Sequence, residues 1–258
     1  MNYMLIDTET IDLKKRYIYN IGIIVFNEKM QVLGTHDLVI KQIYDNKLLF
    51  NTAYYGKKRP LYVSKLKGRT AKRTHLGNAF RTIKAIIKNS NVDTVFAYNA
   101  SFDKGAFTYT SKHLKATNPL EKVKWIDIQA LANNHIHNTK AFQDFCKKNN
   151  YITQKGYLKA NVEITYEFLL GHPFKETHLA LEDCLVEFEI LKKCKDIFTP
   201  TKKKFFKVAT WPWFFDFVVS RTVRDITEEN KCKRFHTVDI GVYVWYNIYI
   251  RSDTYVYN

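Results

Sequence analysis

The sequence predicts an α/β protein, a mixed sheet flanked by helices, with an aromatic-rich, β-containing extension at its C-terminus. Three observations predict this. Three β-patterned runs open the chain, at residues 3–7, 18–26 and 31–40, separated by polar turns near 11–15 and 27–30. Helical and strand patterns then alternate to about residue 194, the order that lays helices over a sheet. Past residue 198 the composition changes, which divides the chain into residues 1–198 and an extension, 199–258.

The first three runs, joined by short turns, read as an antiparallel start to the sheet. Leu76, Phe80, Ile83 and Ile87 recur at helical spacing, so residues 75–88 are expected to form an amphipathic helix. Residues 94–98 read as a short buried strand, and helix resumes from Asp103 to about residue 113. A strand at 125–128 follows, then helices at 139–149 and 161–170. Gly171 stops the second of these, with Pro173 just beyond. A last long helix is expected over 177–194. In the extension, Thr199-Pro200 and Lys202 to Lys204 read as a linker, and Trp211-Pro212-Trp213-Phe214-Phe215 is densely aromatic. Residues 238–251 alternate as a long strand would.

At 258 residues there is room for one full α/β domain and an appendage. The formal net charge of +16 favours polyanions, either nucleic acid or an anionic membrane surface. Cys146, Cys184, Cys194 and Cys232 form no C-x-x-C pair, which argues against a zinc ribbon or a disulfide framework and for reduced thiols. No signal peptide is legible, and the apolar run at 211–219 is too short to span a bilayer. A cytoplasmic location is expected. The Lys-, Asn-, Ile- and Tyr-rich composition points to an AT-rich genome, such as a bacteriophage or its bacterial host.

Chemistry concentrates in a few residues. Asp7 and Glu9 end the first strand and, two apart, point to the same face. Two like charges beside buried Leu5 and Ile6 are costly unless neutralised. A pair of divalent cations held by oxygen ligands would neutralise them and could act on a phosphodiester. Further along stand Asn99, Phe102 and Asp103, then His178 and Asp183.

Asp7-x-Glu9, Asn99-x-x-Phe102-Asp103 and His178-x4-Asp183 together resemble the DEDDh branch of the DnaQ-like 3′–5′ exonucleases, over residues 1–198. The chain departs from the common pattern where Ile11-Asp12, and not a glycine, follows Thr10. The resemblance implies an RNase H-like fold and two Mg²⁺ or Mn²⁺ ions. In it Asp7 would touch both ions, Glu9 and Asp183 would complete one site, and Asp103 would serve the other. His178 would be the general base. Asp183 comes five positions after His178, about 140° around a helix, so His178 is expected on the loop or first turn before it. Thr8, Thr10 and Phe102 would contact the terminal nucleotide, although the threonines also suit a strand and Phe102 a core. Asp103 could equally cap a helix, Asn99 reads as a turn residue, and Glu182, Glu187 and Glu189 read as solvated or salt-bridged. Cys184 and Leu185 are expected to pack the last helix on the sheet.

The stretch 46–92 holds twelve Lys or Arg and no acid. Its middle, with Lys57, Lys58, Arg59, Arg69, Lys72 and Arg73, reads either as a solvated face or as a basic arm on substrate phosphates. Tyr54, Tyr55 and Tyr62 interleave with these charges, which suits single strands, where bases stack and phosphates pair with cations. The expected partner is therefore the single-stranded 3′ end of a nucleic acid, DNA ahead of RNA, with nucleoside 5′-monophosphates as products. A polymerase or another replication protein could dock on the extension. The other reading is a catalytically silent binding or polymerase-tethering module that keeps the fold.

Overall fold

The computed structural model describes residues 1–194, 197, 206 and 207. Its six-stranded sheet has the order β4-β3-β2-β1-β5-β6. The strands are β1 (Asn2–Thr10), β2 (Ile18–Asn27), β3 (Val32–Ile40), β4 (Lys72–Thr74), β5 (Val92–Ala97) and β6 (Lys124–Asp127). β1, β2 and β3 pair antiparallel, as their short turns require, while β4, β5 and β6 join in parallel after helical crossovers.

The helices are α1 (Lys41–Tyr44), α2 (Lys47–Phe50), α3 (Arg59–Lys67), α4 (Leu76–Asn89), α5 (Ala100–His113), α6 (Ile128–Ala132), α7 (Lys140–Lys148), α8 (Val162–Leu170) and α9 (Ala180–Lys192). Where the sequence carries clear end signals, the observed ends agree with it. Thr139 and Asn161 cap α7 and α8 with their side chains, and Gly171 takes a left-handed φ of 75° after α8. The basic stretch is not an open arm. It folds into α2, a 3₁₀ turn at Gly56–Lys58, α3, the edge strand β4 and then α4.

Alternation along β1 sorts its side chains between two cores. Met4 and Ile6 pack with Phe80, Ile83 and Phe107 of α4 and α5 on one face. Tyr3 and Leu5 pack with Cys184, Phe188 and Leu191 of α9 on the other. Asp7 and Glu9 continue the second set and so face α9. Leu185, expected in that core, is exposed instead.

After β1, where Ile11 is buried, Asp12 shapes the turn through its side chain: its Oδ1 accepts the backbone N–H of Lys14 and Lys15 at 2.6 and 2.5 Å. Phe206 and Lys207 pair with residues 157 and 158: the Leu158 N–H donates to the Phe206 carbonyl, and Tyr157 bridges Lys207. The expected linker, aromatic cluster and long strand of the extension lie outside the described residues. Among the described residues no helix is long and apolar enough to cross a membrane.

Candidate active site

Four elements bring the acidic residues to the end of the sheet where β1 and β5 finish. β1 supplies Asp7 and Glu9. Asp103 lies in the first turn of α5, which starts earlier than expected because Asn99 adopts a left-handed φ of 61° and turns the chain off β5. Thr8, on the opposite face of β1 from Asp7, donates its hydroxyl to Asp103 Oδ1 at 2.7 Å. Asp103 is thereby held at 2% exposure.

Asp183 sits in the first turn of α9, and Thr177 donates to its Oδ1 at 3.2 Å. Two residues on β2 set where α9 begins. Gly22, opposite Asp7 in the ladder, lies so close to Ala180 that any Cβ there would enter the backbone of Ala180 and Leu181. Asn20 Oδ1 accepts the Ala180 N–H at 3.0 Å and the Tyr62 hydroxyl at 3.2 Å.

His178 stands before α9, on the loop, with a left-handed φ of 51°. Its ring stacks on Tyr55, with centroids 3.9 Å apart and planes 14° apart. Lys58 donates to the Thr177 carbonyl and lies 5.2 Å over the Tyr55 ring. One ligand atom each from Glu9, His178 and Asp183 lies within 4.8 Å of the others. A cleft of about 860 Å³ opens on these groups, and Thr8, Thr10 and Phe102 also line it. The guanidinium of Arg16 sits 5.0 Å over the Phe102 ring.

The electrostatics are those of crowded carboxylates. Burial, then the charges of Glu187, Asp103, Glu9 and Asp183, pushes Asp7 well above the ordinary range. Burial and then Asp183 push Glu9 up to about 8, despite a long hydrogen bond from Tyr19. Burial raises Asp103 to about 7 and Asp183 to about 6, against the opposing hydrogen bonds from Thr8 and Thr177. His178 is lowered, by burial first and Lys58 second.

Divalent cations fit this donor set. Asp7 Oδ2 is buried with no hydrogen-bond partner, and the ligands on offer are carboxylate oxygens, which suit Mg²⁺ or Mn²⁺.

The six candidate cations of the basic stretch do not form one grip. Lys57 is exposed, and Lys58 is at the cleft. Arg59 turns inward onto Tyr44 and Phe50 and donates to the Tyr44 carbonyl. Arg69, Lys72 and Arg73 line a separate cavity of about 870 Å³ at the sheet edge with Lys41 and His75, where Arg73 also pairs with Asp45 at 2.9 Å. Of the three tyrosines, Tyr54 is exposed and Tyr55 holds His178, but Tyr62 is fully buried against Tyr19 and Tyr44 and is not open to bases.

Glu182 and Glu189 are salt-bridged, to Lys65 and Lys192, as their surface pattern implies. Glu187 is not. It is 3% exposed and lines the cleft. Four residues after Asp183, it lies only about 40° away around the helix, on the face of Asp183 and not off it. Glu176, also unforeseen, lines the cleft beside Glu163, and its carboxyl is pushed up to about 8 by burial and then by Asp183 and Glu163. Neither signal lies in the three motifs, although helical periodicity alone places Glu187.

No family model and no curated protein matches this chain. Among solved structures, E. coli exonuclease I in complex with a dT13 oligonucleotide is similar at 13% identity and a TM-score of 0.51, over 85% of this chain and 44% of that one. The nuclease domain of 3′hExo, a DEDDh family member bound to rAMP, matches at 10% identity and a TM-score of 0.45, over 79% of this chain and 96% of that domain. The chain spans less than half the length of the exonuclease I chains it matches. At such identity the likeness to exonuclease I shows the fold alone, and that fold is an RNase H-like mixed six-stranded sheet flanked by helices.

Proposed function

We propose that this protein is a metal-dependent 3′–5′ exonuclease that hydrolyses the terminal phosphodiester of single-stranded nucleic acid, DNA ahead of RNA, to nucleoside 5′-monophosphates. The observation that carries the proposal is that Asp7, Glu9, Asp183 and His178 line one cleft, with Asp103 hydrogen-bonded to Thr8 of the same strand and Asp7 Oδ2 buried without a hydrogen-bond partner among the described residues. A set of mutually repelling carboxylates at a sheet end is a poor structural device and a good cation site.

Asp7, Glu9, Asp103 and Asp183 would hold two divalent cations, Mg²⁺ or Mn²⁺. When bound, these supply an activated water and charge stabilisation at the leaving oxygen. Thr8 fixes the Asp103 carboxylate, and Thr177 fixes that of Asp183. His178 takes the proton of the attacking water. Its depressed basicity leaves the ring neutral and ready to accept at pH 7, and the Tyr55 stack fixes the plane of the ring. Thr10 and Phe102, on the cleft wall, would meet the terminal nucleotide. Lys57 and Lys58 near the cleft, and Arg69, Lys72 and Arg73 at the sheet edge, would contact phosphates further along the strand. The dT13 bound by exonuclease I, which shares the fold, makes single-stranded DNA the first substrate to try.

The test is hydrolysis of matched end-labelled single-stranded DNA, duplex DNA and RNA with Mg²⁺, Mn²⁺ or EDTA. Metal-dependent loss of 3′-terminal nucleotides from the single strand, absent in EDTA, is expected. Binding without hydrolysis under every metal condition would favour the silent-module reading.

A further inference from the structure

Glu187 does not behave like Glu182 and Glu189 on the same helix. Glu182 and Glu189 reach solvent and each pairs with a lysine. Glu187 is more than nine-tenths buried, and among the described residues no Lys or Arg pairs with it. One of its oxygens, Oε2, accepts the Tyr98 N–H at 3.2 Å. Its other oxygen has no hydrogen-bond partner among the described residues, and the side chain lines the cleft. A carboxylate so buried with one neutral donor keeps its charge only where a positive charge reaches it, and otherwise takes up a proton.

An independent observation points to the same place. Asp7 Oδ2 is buried with no hydrogen-bond partner among the described residues, and Asp7 and Glu187 line the same cleft. Two carboxylates, from β1 and from the second turn of α9, thus meet at one cleft with less than their full complement of hydrogen bonds. Among the described residues no Lys or Arg forms an ion pair with either.

We propose that Glu187 is a fifth carboxylate of the cation centre, a ligand to the ion shared by Asp7 and Asp103. This rests on the two-cation reading given above. An extra anionic oxygen ligand raises affinity for a hard divalent ion. The competing role is purely structural, with Glu187 anchoring Tyr98 at the end of β5. Glu187→Gln separates the two, because an amide oxygen still accepts the Tyr98 N–H but carries no charge.

The experiment is a Mn²⁺ titration of metal-stripped full-length protein, followed by the paramagnetic resonance of free Mn²⁺, with melting in EDTA measured alongside. The variants are Glu187→Gln, Asp7→Asn and, as a surface control on the same helix, Glu189→Gln. Glu187→Gln is expected to lose one Mn²⁺ equivalent or at least about 10-fold in affinity for it, in the range that supporting ligands are worth. It should also melt higher than wild type in EDTA, because one like charge has left the cluster. Glu189→Gln should bind as wild type does. Unchanged Mn²⁺ stoichiometry and affinity in Glu187→Gln, with Asp7→Asn impaired, would overturn the inference alone and leave Glu187 as an anchor for Tyr98. Wild type that takes up no Mn²⁺ would overturn the two-cation reading and this inference together. Should Glu187→Gln not fold, Glu187→Asp keeps the charge but shortens its reach, and undiminished Mn²⁺ binding there would count against the proposal.

Discussion

Asp183 and its neighbours are carboxyls that burial first, and nearby charges second, make costly to ionise, and this has a definite pH signature. Their folded-state carboxyls titrate above the ordinary range, Asp183 near 6, Asp103 near 7 and Glu9 near 8. A raised folded pKa means the native state binds more protons than the unfolded one between about pH 4 and those values. Their contribution to stability is therefore full below about pH 4 and is lost as pH rises to about 8. In EDTA, Asp183→Asn should gain stability relative to wild type as pH is raised over that window. Melting curves at pH 4, 6 and 8 check this, and a difference that stays flat would mean the acid is not strained. His178 carries the opposite shift. His178→Ala should lower kcat by about 10²–10⁴-fold while Mn²⁺ affinity is kept. The acid limb of the wild-type rate profile, expected below the ordinary imidazole value of about 6.5, should disappear with it.

At the scale of elements, the centre depends on how α9 lands on β2. Gly22 makes the landing possible and Asn20 fixes its start. Gly22→Ala should cost about 1–3 kcal/mol, as overpacking does, and should displace Asp183 without removing a single acid. Loss of Mn²⁺ binding in a protein that still melts cooperatively would bear this out; a variant with normal melting and normal binding would contradict it. Nothing in local sequence marks this contact, since a glycine inside a β-run acquires its meaning only from a helix that starts far along the chain, at Ala180. The strands around Asp7 and the capped helices α7 and α8 were legible because alternation and cap residues are local signals. The three helices and edge strand within residues 41–74 were not. Their apolar residues are sparse, and the charges between them imitate a loop. Glu187 was legible in principle, from its four-residue offset, but motif spacing drew attention to Asp183 alone.

For the whole molecule, the net charge of +16 sets the long-range field, and the structure divides the basic stretch that carries much of it. β4 lies three strands from β1, about 14 Å across the sheet at ordinary strand spacing. Arg69→Gln with Lys72→Gln should therefore weaken the binding of long single strands and leave dinucleotide turnover unchanged. The slope of log affinity against log salt should become shallower by about 0.7 for each phosphate no longer neutralised. An unchanged slope would make the edge cavity a solvated surface. The central claim, that the carboxylate cleft consumes strands from a free 3′ end, is tested most directly on one 5′-labelled single-stranded DNA, offered linear and circularised, with Mg²⁺ and with EDTA. The account predicts a ladder shortening from the 3′ end of the linear form, with nucleoside 5′-monophosphate released, an intact circle, and no cleavage of either in EDTA. Cleavage of the circle, or shortening of the linear strand in EDTA, would contradict it.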